Sequence, residues 1–562
     1  MSEPHPLLAG LDEQQRQAAS ALLGPVCLLA GAGTGKTRAI THRIAYGVAT
    51  GVYDPEKVLA LTFTNRAAGE LRGRLRELGA AGVAARTFHS AALAMLGTHW
   101  PQAVGGPMPQ LLEGKGRLLA HVADTLRLRL DTAALRDAAA EIEWRKTRGM
   151  RLDEYALVDR PLPPGLSREQ LLDLQQAYER LKDERRRIDF EDVLLAAAGM
   201  IEAEPRVAAA VRERFRFFVV DEYQDVSPVQ HALLKLWLGD RSELCVVGDV
   251  SQTIYTFAGA DPDFLLGFAR EHPDALVLRL EENYRSTPRI VAIANRLMRG
   301  RAGALELRAA SGAVGPEPEL TGYATDAEEA AAVAGRIAEQ LAAGSPPESI
   351  AVLLRINAQA QPIEAALADA GVPFVVRGAT PFFERAEVRE AVLLLRGASV
   401  ATAASEPLFK AVSDVLRSIG WSQTEPSQPG AVRDRWESLE MIMRLAEAAG
   451  PATTLREFVA ELLQRQASQH APVPQAVTVA TLHSAKGLEW DCVHLVGLSE
   501  GLLPFGLARS DAAIEEERRL LYVGITRARR QLHLSWSASA GPGRPVRREP
   551  SRFVAGLLPG HR

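Results

Sequence analysis

An apolar run, Val26-Cys27-Leu28-Leu29, leads directly into Ala30-Gly31-Ala32-Gly33-Thr34-Gly35-Lys36-Thr37. No other stretch constrains the fold as much. The run supplies a buried strand. The glycines let the backbone turn its N–H groups inward around phosphate oxygens. Lys36 adds a point charge and Thr37 a hydroxyl suited to Mg²⁺. A helix follows, because Ile40, Ile44 and Val48 recur at four-residue spacing on one face. Its positive dipole end lies at the loop and favours an anion. Strand, loop and helix in this order point to an α/β domain that binds a nucleoside triphosphate; a chance match to a loose pattern does not bring all three together.

The chain has 562 residues, enough for several domains with large cores. No run is apolar for long enough to span a membrane, and the N-terminus shows no secretory signal. Cys27, Cys245 and Cys492 each lie in an apolar run. They read as buried thiols of a reducing, cytoplasmic setting and not as bridges or metal ligands, and no Cys/His cluster has zinc spacing. A net charge of −4 leaves the partner open, since nucleic-acid binding depends on where charge is placed.

Short β-rich runs recur in two sets. The first is Val26–Ala30, Val58–Phe63, Phe217–Val220 and Leu244–Val247. The second is Ile350–Leu354, Val477–Thr481, Val493–Val496 and Leu532–Trp536. Loops and amphipathic helices follow them, the rhythm of parallel sheets covered by helices. The reading is two α/β domains, each interrupted by a helical insertion. Residues 1–89 and 190–285 form the first domain, with 90–189 inserted. Residues 286–395 and 476–562 form the second, with 396–475 inserted.

Phe217–Val220 ends in Asp221-Glu222-Tyr223-Gln224-Asp225. Adjacent carboxylates at a strand end suit a triphosphatase: Asp221 for the metal, Glu222 to activate water. Val246-Val247-Gly248-Asp249 is a second strand-to-loop junction. Gln252, just beyond it, is placed to sense a γ-phosphate. Tyr255 and Phe257 lie two apart, as rings presented to bases or as core. From spacing alone both readings stay open.

These stretches together resemble the UvrD/Rep/PcrA helicases of superfamily 1. The matching segments run in family order: Leu11–Arg16, Gly31–Arg38, Thr62-Phe63-Thr64-Asn65, Thr87-Phe88-His89, Asp221–Asp225, Gly248–Gly259, Asn283–Thr287, Thr481–Glu489 and Tyr522–Arg529. Several are worded most like a shorter actinobacterial-type paralogue. The resemblance implies two RecA-like domains with ATP between them. ATP and Mg²⁺ are then held by Ala32, Gly33, Thr34, Gly35, Lys36, Thr37 and Arg38, with Thr37 and Asp221 on the metal. It further implies Gln15 on the adenine edge, Tyr284 stacked on the ring and Glu489 on the ribose. Arg285 and Arg527 reach the γ-phosphate from the second domain, Arg527 as an arginine finger. Without the resemblance, Arg527 reads as a surface helix arginine. Phe63, Asn65, Arg66, Thr87, His89, Phe190, Tyr255, Phe257 and His483 fall on the single-strand track. Arg66 stands where relatives often carry Lys, and both meet phosphate.

The implied activity is an ATP-dependent single-stranded DNA translocase and 3′→5′ helicase of DNA repair or replication-associated processing. It acts at single-strand/duplex junctions as a monomer or weak dimer in the nucleoid. Departures keep two alternatives open: a translocase that displaces proteins without processive unwinding, or a nucleotide-switched DNA-binding scaffold. Ala258 stands where relatives carry Arg, and the second insertion is short. Ser537–Glu549 has no aromatic where relatives place a duplex wedge, although Arg544, Arg547 and Arg548 suit phosphates. No accessory module is expected after Phe553.

Overall fold

The computed structural model of the chain describes residues 5–130, 132–160, 162–163, 166–310, 312–356, 359–377, 383, 386–401, 406–424, 431–449, 453–467, 475–506, 508–539 and 547–557. Arg544 lies outside them. The chain is α/β and divides into two compact units, Met1–Val314 with Ser510–Tyr522, and Gly315–Arg509 with Val523–Arg562.

In the first unit six strands form one sheet in the order Ala84–Thr87, Val58–Thr62, Phe217–Val220, Leu244–Gly248, Val26–Ala30, Leu276–Leu280. Every neighbouring pair is parallel. The central runs are apolar throughout because both faces are covered. Phe218, Val220 and Val246 face one core, and Phe217, Val219 and Val247 face the other. Helix Lys36–Ala49 lays Ala39, Ile40 and Ile44 on the second of these. Parallel strands end at one edge of the sheet. The loops after Ala30, Thr62, Thr87, Val220, Gly248 and Leu280 therefore gather there, where ligands of open α/β sheets bind.

The helical part has its own core of Leu119, Ile142, Leu171, Leu174 and Tyr178. Helix Phe88–Ala103 stays with the sheet, since Phe88, Ala92 and Leu96 pack in the sheet's core. The unit also runs past residue 285. Arg308–Ala309 pairs with Glu282–Asn283 and keeps that stretch on the first unit. Ser510–Tyr522, most of helix Asp511–Ile525, belongs there as well.

The second unit has a six-stranded parallel sheet in the order Glu319–Tyr323, Ala528–Ser537, Trp490–Leu495, Ile350–Leu354, Val477–Thr481, Phe374–Arg377. Its helical part encloses Val388, Leu395, Val412, Leu416, Ile442 and Phe458. That core begins at Phe383, just before helix Ala386–Ala401. Among the described residues no helix is long and apolar enough to cross a membrane.

Candidate functional site

The loop after Ala30 is shaped by what surrounds it. Gly33 has φ +71, and a Cβ there would lie 2.6 Å from Asn283 Nδ2 and 2.8 Å from Arg285 Cβ. Gly35, at φ +77, precedes helix Lys36–Ala49, and its Cβ would meet Gln15 Nε2 at 2.7 Å. Only glycine fits at either position. Asn283 Nδ2 donates to Ala32 O at 2.6 Å, and Gln15 Nε2 donates to Thr34 O at 3.0 Å. Thr34 Oγ1 closes the loop on Gly31 O at 2.9 Å. Lys36 Nζ is buried with no hydrogen-bond partner. An ammonium left this way is destabilising until an anion reaches it. The loop and its lysine therefore fit a phosphate chain.

The acids stand close by. Asp221 N bonds Leu61 O at 2.8 Å, extending the sheet by one step. Glu222 sits at φ +53, a strained conformation for a non-glycine residue, and its N–H donates to Asp221 Oδ1 at 2.9 Å. Gln224 is fully buried. Its Nε2 donates to Glu222 Oε2, and its Oε1 accepts from Asp249 N at 3.0 Å. Asp249 holds Gln252 in turn, accepting from its Nε2 at 2.7 Å. Burial pushes the Asp249 carboxyl up, against the pull of Lys36 and the bond from Gln252. The acid pair, Gln252 and Lys36 are thus linked through Gln224 and Asp249.

Tyr284 is half-exposed, its N–H on Gly33 O at 2.9 Å and its hydroxyl on Asp12 Oδ2 at 2.6 Å. Partial burial, with Asp12, pushes its hydroxyl up to about 12, so it stays a donor. Arg285 corrects the sequence reading. It lies against Gly33 within the first unit, not in the second. The cause is the strand Leu276–Leu280, which pairs with Val26–Ala30 and delivers Asn283-Tyr284-Arg285 to the loop. Arg38 turns away, its Nη2 donating to Gly10 O at 2.7 Å.

A row of rings follows the same sheet edge. Phe63 stacks on Tyr255 at 5.3 Å between centroids, and Tyr255 meets Phe257 at 6.2 Å. His89 stacks on Phe190 at 3.8 Å. Phe63, Phe190 and Phe257 are 45%, 51% and 61% exposed, which removes the core reading for Phe257. Burial lowers His89 to about 4, so it is neutral at ordinary pH. Thr87 caps its own helix through Ser90 N at 3.2 Å. Asn65 opens helix Asn65–Glu77, and Arg66 pairs with Glu70 at 3.0 Å. One small cavity is lined by Phe63, Thr87 and His89 and also by Asp221 and Glu222. The ring row and the acids therefore share a wall.

In the second unit His483 follows strand Val477–Thr481 at its carboxyl end. Glu489 pairs with Arg529. Arg527 is 2% exposed. Its Nε donates to Val523 O at 2.9 Å and its Nη1 to Leu488 O at 3.2 Å.

The sequence reading missed the supports: Asp12, Gln224, Asp249 and Asn283. Their signal was position alone, beside motif residues. It also missed a cluster. Strands Trp490–Leu495 and Ala528–Ser537 pair His494 with His533, and the ligand atoms of Cys492, His494 and His533 lie within 4.8 Å of one another. The imidazoles stack at 4.7 Å, and Arg336 Nη1 sits 2.9 Å from His533 Nδ1. A guanidinium only donates, so it holds His533 in the tautomer with its Nε2 protonated. Burial keeps the Cys492 thiol protonated, its pKa pushed up to about 12. The three are joined by hydrogen bonds, with Cys492 Sγ 3.5 Å from His494 Nε2.

The chain matches two family models: the UvrD/REP helicase N-terminal domain over residues 11–273, and the UvrD-like helicase C-terminal domain over residues 278–427 and 406–539. It is 46% identical to "ATP-dependent DNA helicase UvrD2" of Mycobacterium tuberculosis, across 99% of this chain and 82% of that protein. It is 30% identical to "DNA helicase II" of Escherichia coli, across 98% and 88%. It is also 30% identical to "ATP-dependent DNA helicase PcrA" of Bacillus subtilis, across 98% and 86%.

Proposed function

This chain belongs to the UvrD/REP helicase family, and we propose that it is an ATP-dependent translocase on single-stranded DNA with 3′→5′ helicase activity, serving DNA repair or replication in the cytoplasm. One observation supports this above the others. The unpartnered Lys36, the pair Asp221 and Glu222, and an exposed ring row lie along one sheet edge. Glu222 takes the proton of the attacking water. Gln252 and Arg285 contact the γ-phosphate, and Arg527 serves as the arginine finger. Thr37 and Asp221 would hold Mg²⁺, which would offset the charge of the phosphates. Tyr284 stacks on the adenine. Phe63, Tyr255, Phe257, His89 and Phe190 stack against bases, which tolerates any sequence.

The test is ATPase rate with and without single-stranded DNA, beside unwinding of duplexes with a 3′ or a 5′ tail. Expected are DNA-stimulated hydrolysis, unwinding from the 3′ tail alone, and no hydrolysis in Lys36→Ala. Hydrolysis surviving in Lys36→Ala, or indifference to DNA, overturns the reading. A second reading, protein displacement without processive unwinding, is favoured by Arg548. Its Nη1 donates to Asp326 Oδ1 at 2.7 Å and is spent on its own unit instead of gripping a phosphate. Streptavidin release from biotinylated single strands, without duplex separation, would select it.

A further inference from the structure

The turn that bears Tyr255 and Phe257 has a support that no part of its own neighbourhood supplies. Its internal bonds are backbone ones: Ala258 N to Tyr255 O at 3.0 Å, Gly259 N to Thr256 O at 3.0 Å and Ala260 N to Tyr255 O at 3.1 Å. These close the turn and use Thr256 O, but leave the Thr256 N–H and hydroxyl to a partner outside it. The anchor comes from Ser510–Tyr522, some 260 residues later and within the same unit. Glu516 Oε1 accepts from Thr256 N at 2.9 Å, and Glu516 Oε2 accepts from Thr256 Oγ1. One turn further along the helix, Arg519 Nε donates to Thr253 O at 2.8 Å. Beside it on the helix, Glu515 pairs with Arg301 Nη1 at 3.0 Å.

We propose that Glu516 is a positioning residue for single-strand binding, holding Thr256 so that Tyr255 and Phe257 present their rings at a fixed separation. A carboxylate gripping one residue through both N–H and hydroxyl is a charge-assisted, two-point contact with little freedom. It sits between two rings whose spacing sets the slot for a base. Arg519 adds a second hold directly after Gln252, so the segment between phosphate sensor and rings is clamped at both ends. A stacking site loses affinity when its rings are free to reorient, because ordering them is then charged to binding. The proposal rests on the ring reading above and names what keeps those rings in place.

The test separates the two. ATPase is titrated with oligothymidylate at saturating ATP in the wild type and in Glu516→Ala, Glu516→Gln, Thr256→Ala, Tyr255→Ala and Phe257→Ala. Melting temperature monitors folding. Glu516→Ala is expected to raise the half-saturating oligonucleotide concentration about tenfold, the weight of one base–ring stack. The rate at saturating DNA stays within about twofold of wild type, the split expected of lost binding. Glu516→Gln restores half-saturation, since its amide oxygen still accepts from Thr256 N and the Thr256 hydroxyl can turn to accept from its NH₂. Thr256→Ala in the Glu516→Ala background adds nothing further. If the ring variants weaken DNA activation but Glu516→Ala does not, the anchor is refuted and the ring reading stands. If Glu516→Ala lowers the saturated rate with half-saturation unchanged, the positioning role is refuted. If the ring variants change nothing, both fail together.

Discussion

Phe190 is presented by a buried cage of charges, and breaking that cage is the sharpest available perturbation of the first unit. Asp189 is 1% exposed and Lys146 and Lys182 are 2% exposed. Asp189 Oδ2 takes Lys146 Nζ at 2.7 Å, the Tyr178 hydroxyl at 3.0 Å and Lys182 Nζ at 3.4 Å. Its other oxygen caps helix Phe190–Ala203 through Asp192 N at 3.1 Å. Glu179 and Asp192 complete the cage. Asp189→Ala removes the cap, about 1 kcal/mol, and leaves two buried ammoniums one partner short. Loss of one member of a buried pair costs about 3–5 kcal/mol, and Asp192 and Glu179 hold the total near the lower end. The readout is hydrogen exchange of residues 132–203 by mass spectrometry, where about 3 kcal/mol is a little over a hundredfold in local opening. The exposed pair Arg66–Glu70 is the control, with Glu70→Gln expected to cost below about 0.5 kcal/mol. The pH dependence has a definite sign. Burial alone would raise the Asp189 carboxyl, but Lys146 and Lys182 outweigh it and hold it well below the usual carboxylate range. Its stabilisation is then complete above the unfolded value of about 4 and is lost only as pH falls toward the depressed folded value. The difference between variant and wild type should be flat from pH 8 to 5 and shrink only in stronger acid. A difference below about 1 kcal/mol would refute the cage as a structural clamp, as would one already shrinking at pH 6.

Gly33→Ala puts a methyl where Asn283 Nδ2 lies 2.6 Å away, at φ +71. Its KM for ATP should rise about five- to 150-fold, since the strain is of order 1–3 kcal/mol; an unchanged KM means that the loop yields. Asn283→Ala loses the 2.6 Å bond to Ala32 O and the acceptor for Arg285 N and Ser286 N at 3.0 and 2.7 Å. Urea unfolding should report a loss of about 2–3 kcal/mol, and a loss under about 0.5 kcal/mol counts against its role as the loop's brace. His89, lowered to about 4 by burial, is neutral from pH 5 to 8. DNA-stimulated ATPase of the wild type and His89→Gln should run parallel over that range, and a wild-type inflection near pH 6.5 that the variant lacks contradicts this. The same shift makes the unfolded chain the better proton acceptor, so His89 withdraws stability as pH falls from about 6.5 toward 4.

What the sequence disclosed and what it hid divide along a physical line. Strands buried on both faces must be continuous apolar runs, so Val26–Ala30, Phe217–Val220 and Leu244–Gly248 were legible, and with them the loops they deliver. Lys36, Asp221 and Glu222 stood out as charges following apolar runs, and the structure places them at one edge of the sheet. The residues that hold them in place carry no such mark. Asn283, Gln224, Asp249 and Thr256 are polar loop residues of ordinary type. Their meaning lies in partners far along the chain: 251 positions for Asn283, 25 for the pair Gln224 and Asp249, and 260 for Thr256. Only strand order brings such partners together: Leu276–Leu280 beside Val26–Ala30 is what moves Arg285 to the first unit's loop. The same rule explains the buried imidazoles. His494 and His533 are 39 positions apart in sequence terms and directly opposite in register. The working groups of such a site are therefore readable from local pattern, whereas their tuning is not. A chain can keep every motif residue and still differ in how firmly it presents its rings, because on the proposal above that presentation rests on Glu516, which no local pattern reveals.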